Sequence, residues 1–377
     1  MTRVSLFEKH DEAYGIWRRA GVRDRVLVHV DAHHDMWWIP EDAPTSIGDF
    51  ICPSLKSGIV RQIFWVVPDR TWELRASRKG VVEHVRRLTR TYPDSRMVAR
   101  GTRSLSAVVL GRPLTVCAAD GLPALNEDVL LDVDVDYFVI PHVTYGERDA
   151  QASLPWCWPD QLLARLDERG VRSDIVTIAY SVEGGYTPLK WKYLGDEVAA
   201  RLTSGDPRGA SRLRAMELIR AGALAAASGD RDVAERTYLE SVDVLPDFAA
   251  SHYHLALLCL EMDRVVEARQ HYARAVAGDS SYSSSVDTAG LLYQSMRDFR
   301  GVESRLREAL RLDPTNAYAH YGVGRIALSR KQWTEAERSL RQALSLDSNL
   351  IDAHRALGGC SPGNAAMTKP SRPTHVP

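Results

Sequence analysis

A chain of 377 residues, 45% hydrophobic and 26% charged, is long enough for two or three domains with cores of their own. A formal net charge of −1 leaves no bulk field to hold nucleic acid or an anionic membrane, and the crowding of arginine between Arg70 and Arg112 reads as a solvated helix face. Five scattered cysteines without a Cys-x-x-Cys pair exclude a thiolate zinc motif and fit a reducing, cytoplasmic setting, while the acidic N-terminus (Glu8, Asp11, Glu12) lacks a signal-peptide core and no later run spans a bilayer.

In chain order, residues 11–20 read as a helix stopped at Gly21, and residues 26–30 as a buried parallel strand that ends in Asp31-Ala32-His33-His34-Asp35. A loop with Pro40 and Pro44 follows, then a helix near 49–57, a strand over 63–67 closed by Pro68, a basic helix over 79–91 and a short strand over 113–117. Val129-Leu130-Leu131 then runs into Asp132-Val133-Asp134-Val135-Asp136. A helix near 159–169 ends at Gly170, and a β-branched strand over 174–182 leads into Glu183-Gly184-Gly185-Tyr186-Thr187-Pro188. Strands alternating with helices predict an α/β domain over residues 1–205, a parallel sheet with both faces covered.

From about residue 212 the texture becomes helical with a fixed period. Gly222, Ala256, Gly290 and Gly324 are 34 residues apart, as are Ala234, Ala268, Val302 and Ala336, and Tyr238, Tyr272, Leu306 and Leu340. Small residues in the first two series let paired helices approach, and the large third series fills the groove between repeats. The pattern resembles the tetratricopeptide repeat and predicts an all-α solenoid of about four repeats over 212–358, with a disordered tail over 360–377.

Acids and imidazoles just past a buried strand sit where open α/β sheets bind ligands. In an extended strand end, Asp31, His33 and Asp35 converge on one side and suit a divalent ion; a helix cap at Asp31 with incidental histidines is the competing reading. Asp132, Asp134 and Asp136 at period two crowd three carboxylates on one strand face, which a cation relieves. A solvated edge strand would do the same, but the apolar approach argues for burial.

Together these residues resemble the arginase and agmatinase superfamily, with zinc histone deacetylases as distant relatives. There a histidine opens a helix, a strand ends in Asp-Ala-His-x-Asp, and a later strand ends in Ser-x-Asp-x-Asp. His10, 21 residues before Asp31, stands at the first position; Asp31, His33 and Asp35 match the second. Asp134 and Asp136 match the third if Asp132 takes the serine's place, whereas a register shifted by two would select Asp132 and Asp134. Asp132 to Phe138, with Tyr186-Thr187-Pro188, resembles a branch that includes peptide arginases, which convert arginine side chains to ornithine.

The resemblance implies a three-layer arginase-like domain and two Mn2+ ions, with Fe2+ or Co2+ as substitutes, held by His10, Asp31, His33, Asp35, Asp134 and Asp136. It casts Asp35 as proton acceptor and Glu183 as the partner of the substrate guanidinium. The family's Gly-Asn-Leu-His stretch is matched only by Gly48-Asp49-Phe50-Ile51, so the histidine shuttle is absent from its place. His34 or His142 is the alternative shuttle, each also readable as a surface histidine, and Asp49 is placed near the substrate mouth. Loss of the set that reads a free amino acid points to arginine within a peptide, with a precursor or leader peptide on the repeats. The alternatives are a single-zinc deacylase of acyl-lysine or acyl-polyamine that uses Tyr186 on the carbonyl, and a repeat adaptor with an inactive N-terminal domain.

Overall fold

The computed structural model describes residues 2–37, 44–144, 153–203, 207–294 and 302–360. Pro40 and the tail from residue 361, both within stretches named above, lie outside the described residues. The chain divides into two compact units: Met1–Ser181 with Trp191–Leu213, and Val182–Lys190 with Arg214–Pro377. The expected boundary near 205 therefore falls at Leu213, and the segment that leaves the last strand belongs to the second unit.

The first unit contains β1 (Arg3–Phe7), α1 (Glu12–Arg19), β2 (Arg25–Val30), α2 (Ile51–Lys56), β3 (Val60–Val66), α3 (Arg70–Glu73) and α4 (Arg75–Thr91). There follow β4 (Arg96–Arg100), β5 (Ser104–Val109), β6 (Arg112–Cys117), β7 (Asp128–Asp134), α5 (Asp136–Val139), α6 (Pro159–Asp167), β8 (Arg172–Ala179) and α7 (Tyr193–Leu202). One eight-stranded sheet runs in the order β1-β8-β7-β2-β3-β6-β5-β4. The pairs from β1 to β6 are parallel, and β6-β5-β4 are antiparallel. The sheet is thus mixed rather than wholly parallel.

Why these stretches become strands is visible in their burial. Val26, Leu27, Val28 and Val30 of β2 are buried, as are Val129, Leu130, Leu131 and Val133 of β7, so near-continuous apolar runs fill a sheet covered on both faces. Trp17 of α1, Ile51 and Leu55 of α2, and Val81, Val85 and Leu88 of α4 pack into one core with Leu27, Ile63 and Trp65. The order places β2 between β3 and β7, the point where successive connections leave in opposite directions. Crevices at the carboxyl ends of strands open at such points.

The second unit is helical and begins within α8 (Pro207–Ala227), followed by α9 (Arg231–Val244), α10 (Ala249–Glu261), α11 (Val265–Gly278), α12 (Ser284–Gln294), α13 (Glu303–Leu312), α14 (Ala317–Ser329), α15 (Trp333–Leu346) and α16 (Ile351–Gly358). Its 34-residue period has a direct packing cause. A Cβ at Gly222 would fall 2.4 Å from the Tyr238 ring, and one at Gly324 would fall 2.7 Å from Leu340. Tyr238 and Leu340 of the third series therefore pack onto the small residue of their own helix pair, whereas Leu306 meets the next pair, 2.7 Å from a Cβ placed at Gly322, as expected for the groove between repeats.

Gly290 departs from that pattern. Its Cβ would meet Gly185 Cα and Val182 O at 2.7 Å, because the segment Val182–Lys190 lies against α12 and α10. The Leu189 N–H donates to Asp287 Oδ1 at 3.1 Å, and His254 Nε2–H donates to Lys190 O at 2.9 Å. Among the described residues, no helix is long and apolar enough to cross a membrane.

Candidate metal centre

Each side chain of the site is delivered by a chain end. His10 sits in the turn between β1 and α1, where its carbonyl accepts from Ala13 N at 3.2 Å. Asp31 follows β2 directly, and Asp134 ends β7. The approach is bent rather than extended as expected: Asp31 Oδ1 accepts the His33 N–H at 2.6 Å, and Asp35 adopts a φ of 47°. Asp136 likewise lies past its strand, at the start of α5, where its N–H donates to Asp134 Oδ1 at 2.9 Å. A buried carboxylate that captures the amide two residues on turns the chain, so the side chains converge through Asx turns instead of a strand face.

The structure brings the expected residues into one buried cluster. His10 Nδ1 lies 3.0 Å from Asp35 Oδ2, 3.0 Å from Asp134 Oδ2 and 3.3 Å from Asp31 Oδ2. His33 Nδ1 lies 2.8 Å from Asp136 Oδ2 and 3.4 Å from Asp31 Oδ1. The two oxygens of Asp31 thus face two groups, His10 with Asp35 and Asp134 on one side and His33 with Asp136 on the other. His10, Asp31, Asp134 and Asp136 are almost fully buried, whereas the His33 side chain is 31% exposed, so the cluster meets solvent at His33.

One member was not singled out from the sequence, and another, Asp132, takes a place other than that of a ligand facing the cup. His29, on β2, points Nδ1 at Asp132 Oδ2 at 2.8 Å and lies with Nε2 3.3 Å from Asp31 Oδ2. Asp132 Oδ2 also stands 2.9 Å from His10 Nε2, and Asp132 Oδ1 accepts from Thr177 Oγ1 at 2.6 Å. Both oxygens of Asp132 are therefore engaged on the far side of the rings, which leaves Asp134 and Asp136 facing the cup. The sheet register carries the signal: His29 pairs with Asp132 across β2 and β7, and Asp132 with Thr177 across β7 and β8. Ser181 Oγ, at a residue with φ 54°, donates to Asp134 Oδ2 at 2.6 Å.

The charge balance of the cluster is uneven: Asp31, Asp35, Asp132, Asp134 and Asp136 against His10, His29 and His33. Burial would lower the His10 pKa, but Asp132 and Asp134 hold it well above the histidine value. Burial likewise raises carboxyls, and His10 and His29 outweigh it at Asp132, which falls to about 2. Asp31 is held low against burial by its contacts with His10 and His33. Burial and then Asp31 push Asp35 up to about 6, while burial with Asp134 and Asp31 pushes Asp136 well above its usual range. Carboxylates that resist ionising for want of positive charge mark a place suited to cations.

The donor set fits divalent ions on a second ground. His10 Nδ1, His29 Nε2 and Asp31 Oδ2 are buried without a hydrogen-bond partner, and all three face the cup. A mixed set of imidazoles and many carboxylates suits Mn2+ or Fe2+ better than a single tetrahedral zinc.

The remaining expected residues lie elsewhere. Asp49 is buried, and its carboxylate closes a turn by accepting from Ser46 N at 2.8 Å and Ser46 Oγ at 2.5 Å. Beside it, Phe50 packs its ring 4.8 Å from the His10 ring. His34 is buried among Trp37, Trp65 and His84, with Nδ1 accepting from Met36 N. It is no surface histidine, and burial holds its pKa well below the usual value. His142 lines a basic cleft of about 790 Å³ with Arg75, Arg78, Lys79 and Arg100, its Nδ1 3.1 Å from Ser77 Oγ. Glu183 and Tyr186 belong to the Val182–Lys190 segment of the second unit.

The tetratricopeptide repeat family model matches residues 219–283 and 288–351, so the second unit carries tetratricopeptide repeats. No curated protein matches the chain. Among solved structures the chain is similar to the MamA protein, at 17% identity over 39% of this chain and 80% of that one with a TM-score of 0.23. It is also similar to pilF of Pseudomonas aeruginosa, at 21% identity over 40% and 69% with a TM-score of 0.23. A thermophilic tetratricopeptide-repeat protein of Thermus thermophilus gives 22% identity over 39% and 80% with a TM-score of 0.21.

Proposed function

We propose that the first unit is a dinuclear metal hydrolase that converts arginine side chains of a peptide to ornithine and urea, with Mn2+ the preferred ion and Fe2+ or Co2+ as substitutes. The observation that carries this reading is the convergence of His10, Asp31, His33, Asp35, Asp134 and Asp136, with Asp31 facing both halves of the cup. A pair of such ions supplies, when bound, activation of water for attack on a guanidinium carbon.

The chain's own residues have distinct tasks in this reading. Asp31 is placed to serve both positions, Asp35 and Asp134 to complete the one with His10, and Asp136 the one with His33. Asp35, 3.0 Å from His10 Nδ1, is assigned the proton passed from the reacting water. Glu183 is assigned the substrate guanidinium, which a carboxylate matches in a planar, bidentate contact.

The repeats suit the chain to bind peptide or partner protein. Helices α10 and α12 already carry the chain's own Val182–Lys190 segment, so an incoming precursor or leader peptide must displace it or dock on the later helices. An adaptor role without catalysis is the second reading, and the repeat match supports it.

The test is to incubate the full-length protein and Mn2+ with arginine-containing peptides and follow mass and urea. A loss of about 42 Da per modified arginine is the expected result of hydrolytic urea release. Unchanged peptides, together with peptide binding that needs no metal, would favour the adaptor, and one zinc per chain with release of acyl groups from acyl-lysine would favour the deacylase.

A further inference from the structure

His29 lies in the middle of a buried strand, 0% exposed, where an imidazole needs partners for both nitrogens. Only one is provided by hydrogen bonding. An ionised carboxylate accepts and does not donate, so the ring nitrogens that face Asp132 carry the protons: Nδ1 of His29 at 2.8 Å and Nε2 of His10 at 2.9 Å. In neutral rings this leaves the opposite nitrogens, His29 Nε2 and His10 Nδ1, as bare lone pairs. Both stand 3.3 Å from the same oxygen, Asp31 Oδ2. Lone pairs aimed at a carboxylate repel it unless a positive charge, either a second ring proton or a metal ion, lies among them.

The spacing fits a metal ion. Neighbouring ligand atoms on an octahedral ion with bonds of about 2.1 Å stand about 3 Å apart. His10 Nδ1 keeps 3.0 to 3.3 Å from Asp31, Asp35 and Asp134, and His29 Nε2 keeps 3.3 Å from Asp31. His29, Asp31 and Asp35 each bring a ligand atom within 4.8 Å of the others.

We propose that His29 is a metal ligand through Nε2 at the position it shares with His10, and that Asp132, braced by Thr177, is the positioning residue that fixes both rings. The inference rests on the dinuclear reading above. It makes the two positions unequal: the first holds two imidazoles with Asp31, Asp35 and Asp134, the second holds His33 with Asp31 and Asp136. Ions that favour nitrogen donors then fill the first position first.

The experiment is titration of the metal-free, full-length protein with Co2+, read by visible absorption and calorimetry. Wild type is expected to bind two ions in separable steps. In His29→Asn the tighter step should weaken about 10- to 100-fold with a changed absorption band, and Asp132→Asn should weaken the same step. Pulsed electron paramagnetic resonance on wild type with one equivalent of Co2+ adds a readout that needs no variant: two coupled imidazole nitrogens are expected. A wild-type two-ion titration unchanged in His29→Asn, or coupling to a single imidazole at the first position, overturns the role of His29 alone. Absence of any bound ion in wild type overturns the dinuclear reading as well.

Discussion

The Nδ1 atom of His10 stands 3.0 Å from Asp134 Oδ2, although one residue precedes the first helix and the other closes the seventh strand. Ser181 donates to the same oxygen, and the other oxygen holds the Asp136 amide. Removing this carboxylate therefore strips the cup of an oxygen shared among its parts. Asp134→Ala should weaken Mn2+ binding by about 100-fold or more, since loss of outer-shell partners alone costs 10- to 100-fold. Equilibrium dialysis measures it, and wild-type affinity in the variant would remove Asp134 from the ligand set.

Thr177 makes a narrower prediction. Its hydroxyl donates to Asp132 Oδ1 at 2.6 Å inside the sheet, so Thr177→Val leaves a buried acceptor without that donor. Such a loss costs about 1–3 kcal/mol. Urea unfolding of the metal-free variant should show that decrease, with the folded-state circular dichroism unchanged.

Gly290 tests the hold of the repeats on their own chain. A Cβ there would sit 2.7 Å from Gly185 Cα and Val182 O, both backbone atoms that cannot swing aside. Gly290→Ala should cost about 1–3 kcal/mol by overpacking and loosen the 182–190 segment. Hydrogen exchange should then quicken in that segment while α14–α16 keep their protection; equal exchange in both proteins would show that the segment is not held there.

The His254 imidazole gives the second unit a pH dependence with a definite sign. Burial holds its pKa at about 3, against 6.5 in an unfolded chain, while its Nε2–H serves Lys190 O. The unfolded state binds more protons below 6.5, so this group's contribution is complete above that value and is lost as pH falls toward 3. By pH 4.5 the loss is about 2–3 kcal/mol. His254→Gln, which keeps a donor but does not titrate, should flatten that part of the acid limb in thermal unfolding from pH 7 to about 4.5; identical slopes would exclude the assignment.

Much of this site was legible because acids at period two, directly after apolar runs, have few bland explanations. Asp31, Asp35 and Asp134 announce themselves that way. His29 did not, since a single histidine inside Arg25–Val30 reads as part of the strand, and only the pairing of β2 with β7 sets it against Asp132. Thr177 and Ser181 depend on the same long-range register. The repeats were plain from their period, whereas β1, β4 and β5 were missed; Arg96–Arg100 of β4 is exposed, arginine-flanked and without alternation. Most remote from sequence reasoning was the second-unit placement of Val182–Lys190: contacts with Asp287 and His254 leave no local trace in the segment itself.

Whether the cup holds a pair of ions is read by anomalous scattering at the manganese edge from crystals of the full-length protein grown with Mn2+. Two peaks about 3.5–4 Å apart are expected, as in two-metal hydrolytic sites, one beside His10, Asp35 and Asp134 and one beside His33 and Asp136, with Asp31 between them. A cup without a peak, or with a single peak at saturating Mn2+, would contradict the dinuclear reading.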